Sequence, residues 1–399
     1  MAQRPKILIV DDEPLNIDYL EQELEDLEYD TVSAANGQEG LQRVAQAGPD
    51  LILLDMMMPV MDGFEMLGRL KAEPAWRDIP VVIISALTDM DSVLRGIQLG
   101  ADDYLPKPFN PTLLEARMNA GLARKRLRDL EKLYIQSLER ELEIGHQIQS
   151  GFLPTELPEV SGWGIASHFA AAREVSGDFY DVFNLSDGRL GFFLGDVTDK
   201  GVGSALFMAL YRSLLRAFIN DRSSPKLKER AVSSADILVQ AVARTNQYVC
   251  QTHANALFST LFIGVLDPLS GKVQYINAGH NPPQVLRKDG GRWALKPTGP
   301  LVGIMEDSEY SAEGIELSPG EALCIYSDGV EDTNNAASEF FGLERLLDVL
   351  ALPAHSAFEY VERLSTSLAN FRGEAKPFDD VTVLVIMRQG AAIVGDGQT

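Results

Sequence analysis

The chain has 399 residues, of which 58 are acidic and 35 are basic, so its formal net charge is -23. This length exceeds what one hydrophobic core usually organises, and we expect two domains and a connecting segment. The acidic balance disfavours nucleic acid and anionic membrane surfaces as partners, and two cysteines, Cys250 and Cys324, exclude a disulfide framework and a cysteine-rich zinc site.

The N-terminal segment MAQRPKILIVDDE becomes charged too early for a signal peptide. No apolar run approaches the roughly 20 residues of a membrane span. We therefore expect a cytoplasmic protein that binds neither membrane nor nucleic acid, in a reducing compartment.

Five apolar, β-branched runs alternate with amphipathic segments between residues 6 and 108. The runs read KILIVDD, DTVSA, DLILLD, IPVVIIS and DDYLPK. This alternation predicts a parallel sheet covered by helices on both faces. We expect a doubly wound (βα)5 domain of the α/β class over residues 1–120.

Acidic residues lie at or just beyond the ends of the first and third runs, at Asp11, Asp12 and Asp55. Ligands of such sheets bind beyond the carboxyl ends of the strands. Three carboxylates in one pocket require a cation, and oxygen ligands favour Mg²⁺. Lys107 and Ser85 follow or end neighbouring strands and are placed to contact phosphoryl oxygens. Although a single such acid is usually a cap or turn residue, the set predicts phosphoryl transfer onto Asp55.

This region resembles the receiver domain of bacterial two-component response regulators, through VDDE, LLDMMMPVMDG, ISA and KPF. The resemblance implies that Asp55 is the phospho-acceptor and a metal ligand. It implies Asp11, Asp12 and the backbone carbonyl of Met57 as further Mg²⁺ ligands, with Lys107 beside them. Ser85 and Tyr104 look like the pair whose movement reports phosphorylation. The implied partner is a histidine kinase or a phosphotransfer protein.

A long helix is predicted after Pro111, and residues 121–152 are interpreted as a helical linker. Its apolar stripe consists of Leu127, Leu130, Tyr134, Leu138, Leu142, Ile148 and Phe152. Such a narrow stripe suits a dimerising coiled coil, so we expect a homodimer through this helix. The alternative is a helix that packs on one of its own domains. Pro154 and Pro158 end the helix.

From residue 153 to residue 390 short strands follow one another, and helices are predicted at 202–220, 233–251, 343–350 and 358–371. Runs of adjacent strands with grouped helices predict antiparallel sheets flanked by helices. Residues 391–399 are interpreted as a flexible tail.

Acidic residues again adjoin the strands of this second region. Asp178 and Asp196 stand in SGDFYDVF and GDVTDKGVG, Asp328 stands in YSDGVED, and Asp379 and Asp380 precede the last strand. Carboxylates without histidine or cysteine favour Mn²⁺ or Mg²⁺, and two such ions would support hydrolysis of a phosphate ester. The alternative is that these are turn residues, because Asp and Gly dominate turns.

The motifs EVSGDFYDVF, GDVTDKGVGSALFMA, NAGHNPP, YSDGVED and DDVTV resemble PPM-type (protein phosphatase 2C-like) serine/threonine phosphatases, in particular the bacterial sporulation and stress-response branch. The resemblance implies an α-β-β-α sandwich that holds two Mn²⁺ or Mg²⁺ ions, with Asp196 bridging them. Its implied ligands are Asp178, Asp196, the backbone carbonyl of Val197, Asp328 and Asp379, with Asp380 as the alternative to Asp379. Ser176 and Asp199 depart from the small residues common at their positions.

Together the two resemblances imply that phosphorylation of Asp55 controls dephosphorylation of a protein phosphoserine or phosphothreonine. The expected substrate is an anti-sigma-factor antagonist with a STAS fold. Phosphorylation of Asp55 could either activate or inhibit its dephosphorylation. The alternative is a catalytically silent adaptor that binds a sigma factor or an anti-sigma factor. His280 in NAGHNPP is either a general acid or part of a structural loop, and Arg173 is a candidate contact for the substrate phosphate.

Overall fold

The structure is a computed structural model that describes residues 4–86, 90–221, 233–252 and 257–390. The chain divides into two compact units, Met1–Glu139 and Arg140–Thr399. The tail predicted at 391–399 lies outside the described residues.

The first unit contains a parallel five-stranded sheet with the strand order β2-β1-β3-β4-β5. Apolar cores lie on both faces of this sheet. The predicted doubly wound α/β fold is therefore confirmed. Its elements are β1 (Lys6–Val10), α1 (Pro14–Asp26), β2 (Asp30–Ala34), α2 (Gly37–Ala47), β3 (Leu51–Asp55), α3 (Gly63–Ala72), β4 (Val81–Ala86), α4 (Met90–Gln98) and β5 (Asp103–Lys107).

Local sequence explains where these elements begin and why the end of β3 is crowded. The side chain of Asn36 caps α2 by accepting a hydrogen bond from the backbone of Glu39, and Asp62 caps α3 through Glu65. At Gly63 a Cβ atom would lie 2.3 Å from the backbone oxygen of Asp55. Only glycine lets α3 start this close to the end of β3.

The helix α5 (Pro111–Ser150) has 40 residues, as the sequence predicts. Leu114, Met118 and Leu122 pack into the core of the first unit. Most of the predicted stripe is exposed in the single chain, namely Leu127, Leu130, Tyr134, Leu138 and Ile148. The exposure leaves this face available to a second helix, and dimerisation stays a prediction.

The second unit contains two five-stranded sheets, ordered β13-β10-β9-β8-β7 and β12-β11-β14-β15-β6. Its elements are β6 (Trp163–Ala170), β7 (Asp178–Asn184), β8 (Leu190–Val197), α6 (Val202–Asn220), α7 (Ser234–Thr252), β9 (Ser259–Leu266), β10 (Lys272–Ala278), β11 (Gln284–Leu286), β12 (Arg292–Ala294), β13 (Glu313–Glu316), β14 (Ala322–Tyr326), α8 (Gly329–Asp332), α9 (Gly342–Ala351), α10 (Ala357–Arg372) and β15 (Val381–Arg388).

Three apolar layers hold this second unit together. One core lies between the two sheets, a second joins α6 and α7 to the first sheet, and a third joins α9 and α10 to the other. The result is the predicted α-β-β-α sandwich, and the four predicted helices match α6, α7, α9 and α10 within a residue or so.

The helix α6 corrects one expectation from the sequence. Within the described parts of the chain, it is the helix long and apolar enough to cross a membrane by length and composition alone. Part of its apolar surface is buried, because Met208, Tyr211 and Leu215 pack against the first sheet. Beside them Arg212 and Arg216 of the same helix pair with Asp181 at 2.8 and 2.6 Å.

Candidate functional sites

The first acid cluster consists of Asp11, Asp12 and Asp55, whose ligand atoms all lie within 4.8 Å of one another. Asp11 follows β1 and Asp55 ends β3. Because β1 and β3 are parallel neighbours, their carboxyl ends meet at one edge of the sheet. Asp11 and Asp55 are buried, whereas Asp12 is exposed. Three carboxylates with an open side suit a hard cation such as Mg²⁺.

Lys107 partly balances the charge of this first cluster. Its Nζ atom donates to Oδ2 of Asp11 at 3.0 Å and to Oδ1 of Asp55 at 3.1 Å. Asp11 also accepts hydrogen bonds from the backbone of Glu13 and the side chain of Asn16. Burial raises the pKa of Asp55, and the charge of Lys107 offsets part of this rise.

The remaining receiver candidates lie around the same edge of the sheet. Ser85 is buried on β4, and Tyr104 is half-buried on the neighbouring strand β5. The ring of Tyr104 lies 5.8 Å from the guanidinium carbon of Arg117. The side chain of Met57 points away from the core and is 70% exposed. Neighbouring strands thus carry the hydroxyl and the aromatic ring, and their role as a switch pair stays a prediction.

The second acid cluster consists of Asp178, Asp196, Asp328 and Asp379. Asp178 and Asp196 face each other as register partners of the antiparallel strands β7 and β8. Asp328 follows β14 and Asp379 precedes β15, and these strands are antiparallel neighbours in the other sheet. The hydroxyl of Thr382 on β15 donates to Oδ2 of Asp178. This bond joins the two sheets, so the four acids gather at one end of the sandwich.

The pKa values of this second cluster show how closely its charges interact. Burial raises the pKa of Asp196 to about 8, with Asp328 and Asp379 as the next causes. The pKa of Asp178 is raised well above its usual range by burial and by Asp196. Burial and Asp379 also raise the pKa of Asp328. Carboxylates that lie this close together and offer only oxygen donors suit hard divalent cations.

The two clusters differ in shape. Over the residues that the structure describes, only the first cluster brings three ligand atoms within 4.8 Å of one another. In the second, Asp196 interacts electrostatically with Asp178, Asp328 and Asp379, although no three of these ligand atoms lie that close. The carboxylates of the second cluster are therefore spread more widely than those of the first.

Asp379 and Asp380 have different surroundings. The carboxylate of Asp380 accepts three hydrogen bonds, from the backbone of Ala172 and Gly177 and from the hydroxyl of Ser176, at 2.7, 2.9 and 2.7 Å. Asp379 keeps one oxygen near Lys200, whose Nζ atom lies 2.8 Å from Oδ2. Asp380 therefore holds the loop before β7, although both Asp379 and Asp380 lie close enough to Asp196 to raise its pKa. The choice of Asp379 as the ligand stays a prediction.

Sequence reasoning missed two residues that support this arrangement. The hydroxyl of Ser176 donates to Asp380 and accepts the backbone N–H of Asp178 at 3.0 Å. Gln149, near the end of α5, exchanges two hydrogen bonds with the backbone of Ser176, at 2.6 and 2.9 Å. Ser176 could have been found from the sequence, because it places a hydroxyl where a small residue is common. Gln149 could not, because polar residues are common near the end of a helix.

Lys200 and Asp332 are two further residues beside the second cluster. Lys200 also donates to the backbone oxygen of Phe378 at 3.0 Å. Burial and the charge of Asp379 raise the pKa of Asp332. Sequence spacing could have suggested both, because the TDKG and VED segments closely follow the predicted ligands Val197 and Asp328.

His280 has the surroundings of a structural residue. Its side chain is 2% exposed, and its Nδ1 atom lies 2.9 Å from the hydroxyl of Thr260. Burial lowers its pKa to about 4, so the imidazole is neutral at physiological pH. This favours the structural-loop interpretation over a general acid. Arg173, in the segment between β6 and β7, is exposed, and its contact with substrate stays a prediction.

Comparison with known proteins identifies both domains. Residues 7–119 match the response regulator receiver domain, and residues 186–389 match the family described as Stage II sporulation protein E (SpoIIE). Fold and sites thus define a response regulator in which a receiver precedes a PPM-type phosphatase domain. Because the second match spans just over half of the chain, the protein belongs to the SpoIIE family.

Individual relatives cover parts of the chain. Protein IcfG of Synechocystis sp. is 41% identical over 262 residues, which are 62% of this chain and 41% of that protein. A probable transcriptional regulator, ycf27 of Porphyridium aerugineum, is 42% identical over 31% of this chain and 50% of its own length. The chain thus spans half or less of the length of these two curated relatives.

One solved structure, the SiaA-PP2C domain of Pseudomonas aeruginosa, is 22% identical and covers 64% of this chain and 98% of its own, with a TM-score of 0.53. At this identity the likeness supports the fold alone. It agrees with the sandwich that the core clusters define.

Proposed function

We propose that this protein is a response regulator in which phosphorylation of Asp55 controls metal-dependent hydrolysis of phosphoserine or phosphothreonine on a protein. The observation that carries the proposal is the second acid cluster, where Asp178, Asp196, Asp328 and Asp379 meet at one end of the sandwich with raised pKa values. A divalent cation would offset the charge of carboxylates that lie this close together.

Two Mn²⁺ or Mg²⁺ ions would be held by the second cluster together with the backbone carbonyl of Val197. Bound there, they would supply a water of lowered pKa and positive charge for phosphate oxygens. At Gly177 a Cβ atom would lie 2.7 Å from the oxygen of Val197 and 3.1 Å from Oδ1 of Asp196. Glycine therefore keeps both oxygens accessible. Asp379 is the fourth carboxylate ligand, and Asp380 fixes the loop behind Asp178.

In the receiver, Asp55 accepts the phosphoryl group from a histidine kinase or a phosphotransfer protein. Asp11, Asp12, Asp55 and the carbonyl of Met57 would hold Mg²⁺. Lys107 already lies between Asp11 and Asp55, so its ammonium is placed to contact a phosphoryl oxygen on Asp55. Ser85 and Tyr104 respond to that group as the switch pair.

The end of α5 supports control of hydrolysis by the linker helix. Gln149 is buried and binds the backbone of Ser176, while His146 binds the backbone oxygen of Glu174 at 2.7 Å. Ser176 in turn contacts Asp380 and the N–H of Asp178. A movement of the last turn of α5 would therefore displace Ser176, which contacts the backbone of the proposed metal ligand Asp178.

The partners follow from this proposal. The substrate is a phosphorylated anti-sigma-factor antagonist with a STAS fold, the protein acts in the cytoplasm, and the exposed stripe of α5 pairs two copies. The alternative is a silent adaptor that binds a sigma factor or an anti-sigma factor. The retained acids Asp178, Asp196, Asp328 and Asp379 favour the enzyme, because an adaptor has no need of them.

The test is hydrolysis of a phosphoserine peptide by the full chain, with and without Mn²⁺ and with and without acetyl phosphate. We expect Asp196→Asn to lose about 10³-fold in kcat/KM, since several kcal/mol of metal-dependent stabilisation disappear. The control is Asp348→Asn, an exposed acid on α9. Equal activity of wild type and Asp196→Asn would contradict the metal site, and inactivity of wild type in every condition would favour the adaptor.

The coupling has its own test in Gln149→Leu, which keeps the side-chain size and removes both hydrogen bonds to Ser176. We expect it to change the ratio of hydrolysis rates with and without acetyl phosphate. Gln147→Leu, an exposed neighbour on α5, is the control. An unchanged ratio in Gln149→Leu would refute this route of control.

A further inference from the structure

A pair of phenylalanines, Phe340 and Phe378, lies half exposed on the surface of the second unit. Their exposed fractions are 52% and 50%. The ring centroids are 5.9 Å apart and the ring planes meet at 72°, an edge-to-face arrangement. We call these two residues the aromatic pair. It presents apolar ring surface to solvent, as binding surfaces do.

The aromatic pair adjoins the second acid cluster directly. Phe378 is bonded to Asp379, the proposed ligand. The Nζ atom of Lys200 lies 5.0 Å from the ring centre of Phe378 and 2.8 Å from Oδ2 of Asp379. One ammonium group therefore stands at the border between the acids and the apolar rings.

The backbone around Phe340 is held in place by its own contacts. Phe340 forms an isolated bridge with Asn334. Arg345 donates to the backbone oxygens of Phe340 and Phe341 at 2.8 and 3.0 Å, and the Phe341 ring packs at 5.4 Å against Phe371. The ring of Phe340 is thus presented from a fixed backbone, which lowers the entropy cost of binding against it.

We propose that the aromatic pair is a specificity site that binds an apolar side chain close in sequence to the phosphorylated residue of the protein substrate. This inference rests on the proposed function and names a feature of its substrate. An extended peptide advances about 3.3 to 3.6 Å per residue. Since Lys200 Nζ lies 2.8 Å from Asp379 and 5.0 Å from the ring centre of Phe378, a side chain one to three residues from a phosphate at the acid cluster is within reach of the aromatic pair.

Charge narrows the choice of flanking residue. Asp332 and Glu331 of the short helix α8 adjoin the proposed ligand Asp328 and are not proposed ligands themselves. These acids repel an acidic residue beside the phosphate, whereas the rings favour an apolar one. The substrate segment is therefore a phosphoserine flanked by an aliphatic or aromatic side chain, without neighbouring acids.

The test is a scan of phosphoserine peptides in a Gly/Ser background, each with one Leu between three residues before and three residues after the phosphoserine. With the full chain and Mn²⁺, with and without acetyl phosphate, we expect Leu at one position to raise kcat/KM about fivefold over the all-Gly/Ser peptide. The gain should fall below about twofold in Phe340→Ala. It should persist in Phe340→Leu and in Phe358→Ala, an exposed phenylalanine on α10.

The outcomes separate this inference from the proposed function. Equal kcat/KM for all peptides, or the same gain in Phe340→Ala as in wild type, would overturn the inference alone. Hydrolysis of no peptide by wild type would overturn the proposed function and this inference with it. A lower sedimentation coefficient in Phe340→Ala, but not in Phe358→Ala, would assign the aromatic pair to contact between two copies and would also overturn it.

Discussion

The two acid clusters balance their charges in different ways. In the first, Lys107 contacts both Asp11 and Asp55, so the chain itself supplies a cation between the carboxylates. In the second, Lys200 contacts Asp379 at the edge, while Asp178 receives hydrogen bonds from neutral groups such as the hydroxyl of Thr382. The first cluster is thus partly neutralised by the protein, and the second would depend more on the proposed ions for its charge balance.

The largest expected effect tests the first cluster. Asp55→Asn removes the nucleophilic carboxylate, so phosphorylation by acetyl phosphate should be abolished. Phosphate-affinity gel electrophoresis of the full chain measures this directly. Asp91→Asn on α4, an exposed acid, should be phosphorylated like wild type. A phosphorylated band that persists in Asp55→Asn would place the acceptor elsewhere.

The next effect tests the charge of the second cluster through pH. Asp196 has a pKa of about 8 in the folded chain against about 3.9 when unfolded. Protonation of Asp196 therefore contributes fully to the free energy of unfolding below about pH 4. This contribution is lost as the pH rises through about 8. Without metal, we expect the melting temperature of the second unit to fall by roughly 5 to 10 °C between pH 5.5 and pH 8.

Added Mn²⁺ should restore most of that stability at pH 8, because it offsets the ionised carboxylates. Asp196→Asn removes one charge, so its metal-free protein should show a weaker pH dependence and a smaller response to Mn²⁺. Scanning calorimetry with chelator and with Mn²⁺ measures both quantities. The same melting temperature of the metal-free wild type at both pH values would contradict the charge argument.

A smaller effect concerns the serine that supports this second cluster. Ser176→Ala removes the hydroxyl shared by Asp380 and the N–H of Asp178. Since these buried groups lose a partner, we expect a loss of about 1 to 3 kcal/mol in the free energy of unfolding of the second unit. Urea unfolding measures it, with the exposed Ser318→Ala as control. An unchanged urea midpoint would show that loss of the hydroxyl does not lower the free energy of unfolding of the second unit.

The smallest effect has the opposite sign. Asp199 is exposed and adopts a positive φ of 75°, a backbone conformation that favours glycine. Asp199→Gly should therefore stabilise the second unit by up to about 1 kcal/mol, seen as a higher urea midpoint. A lower midpoint would mean that the hydrogen bond from the Lys200 backbone to Asp199, at 2.8 Å, outweighs the strain.

Local sequence patterns predicted most of the strands and helices and the places where the acids gather. The apolar run LILLD became the fully buried strand β3, and the acids at strand ends met where the sheet rules place them. Contacts between distant segments could not be predicted, because spacing along the chain does not encode them. The bond from Ser176 to Asp380 spans 204 positions, and the pairing of Phe340 with Phe378 depends on how two loops approach.

The bond between Thr382 and Asp178 has a further consequence, because its two ends belong to different sheets of the sandwich. If the sheets separate, the proposed ligands Asp178 and Asp196 move apart from Asp328 and Asp379. Ions held by these residues would then be released in the same step in which the inner core opens, so the release of metal would report the unfolding of this domain.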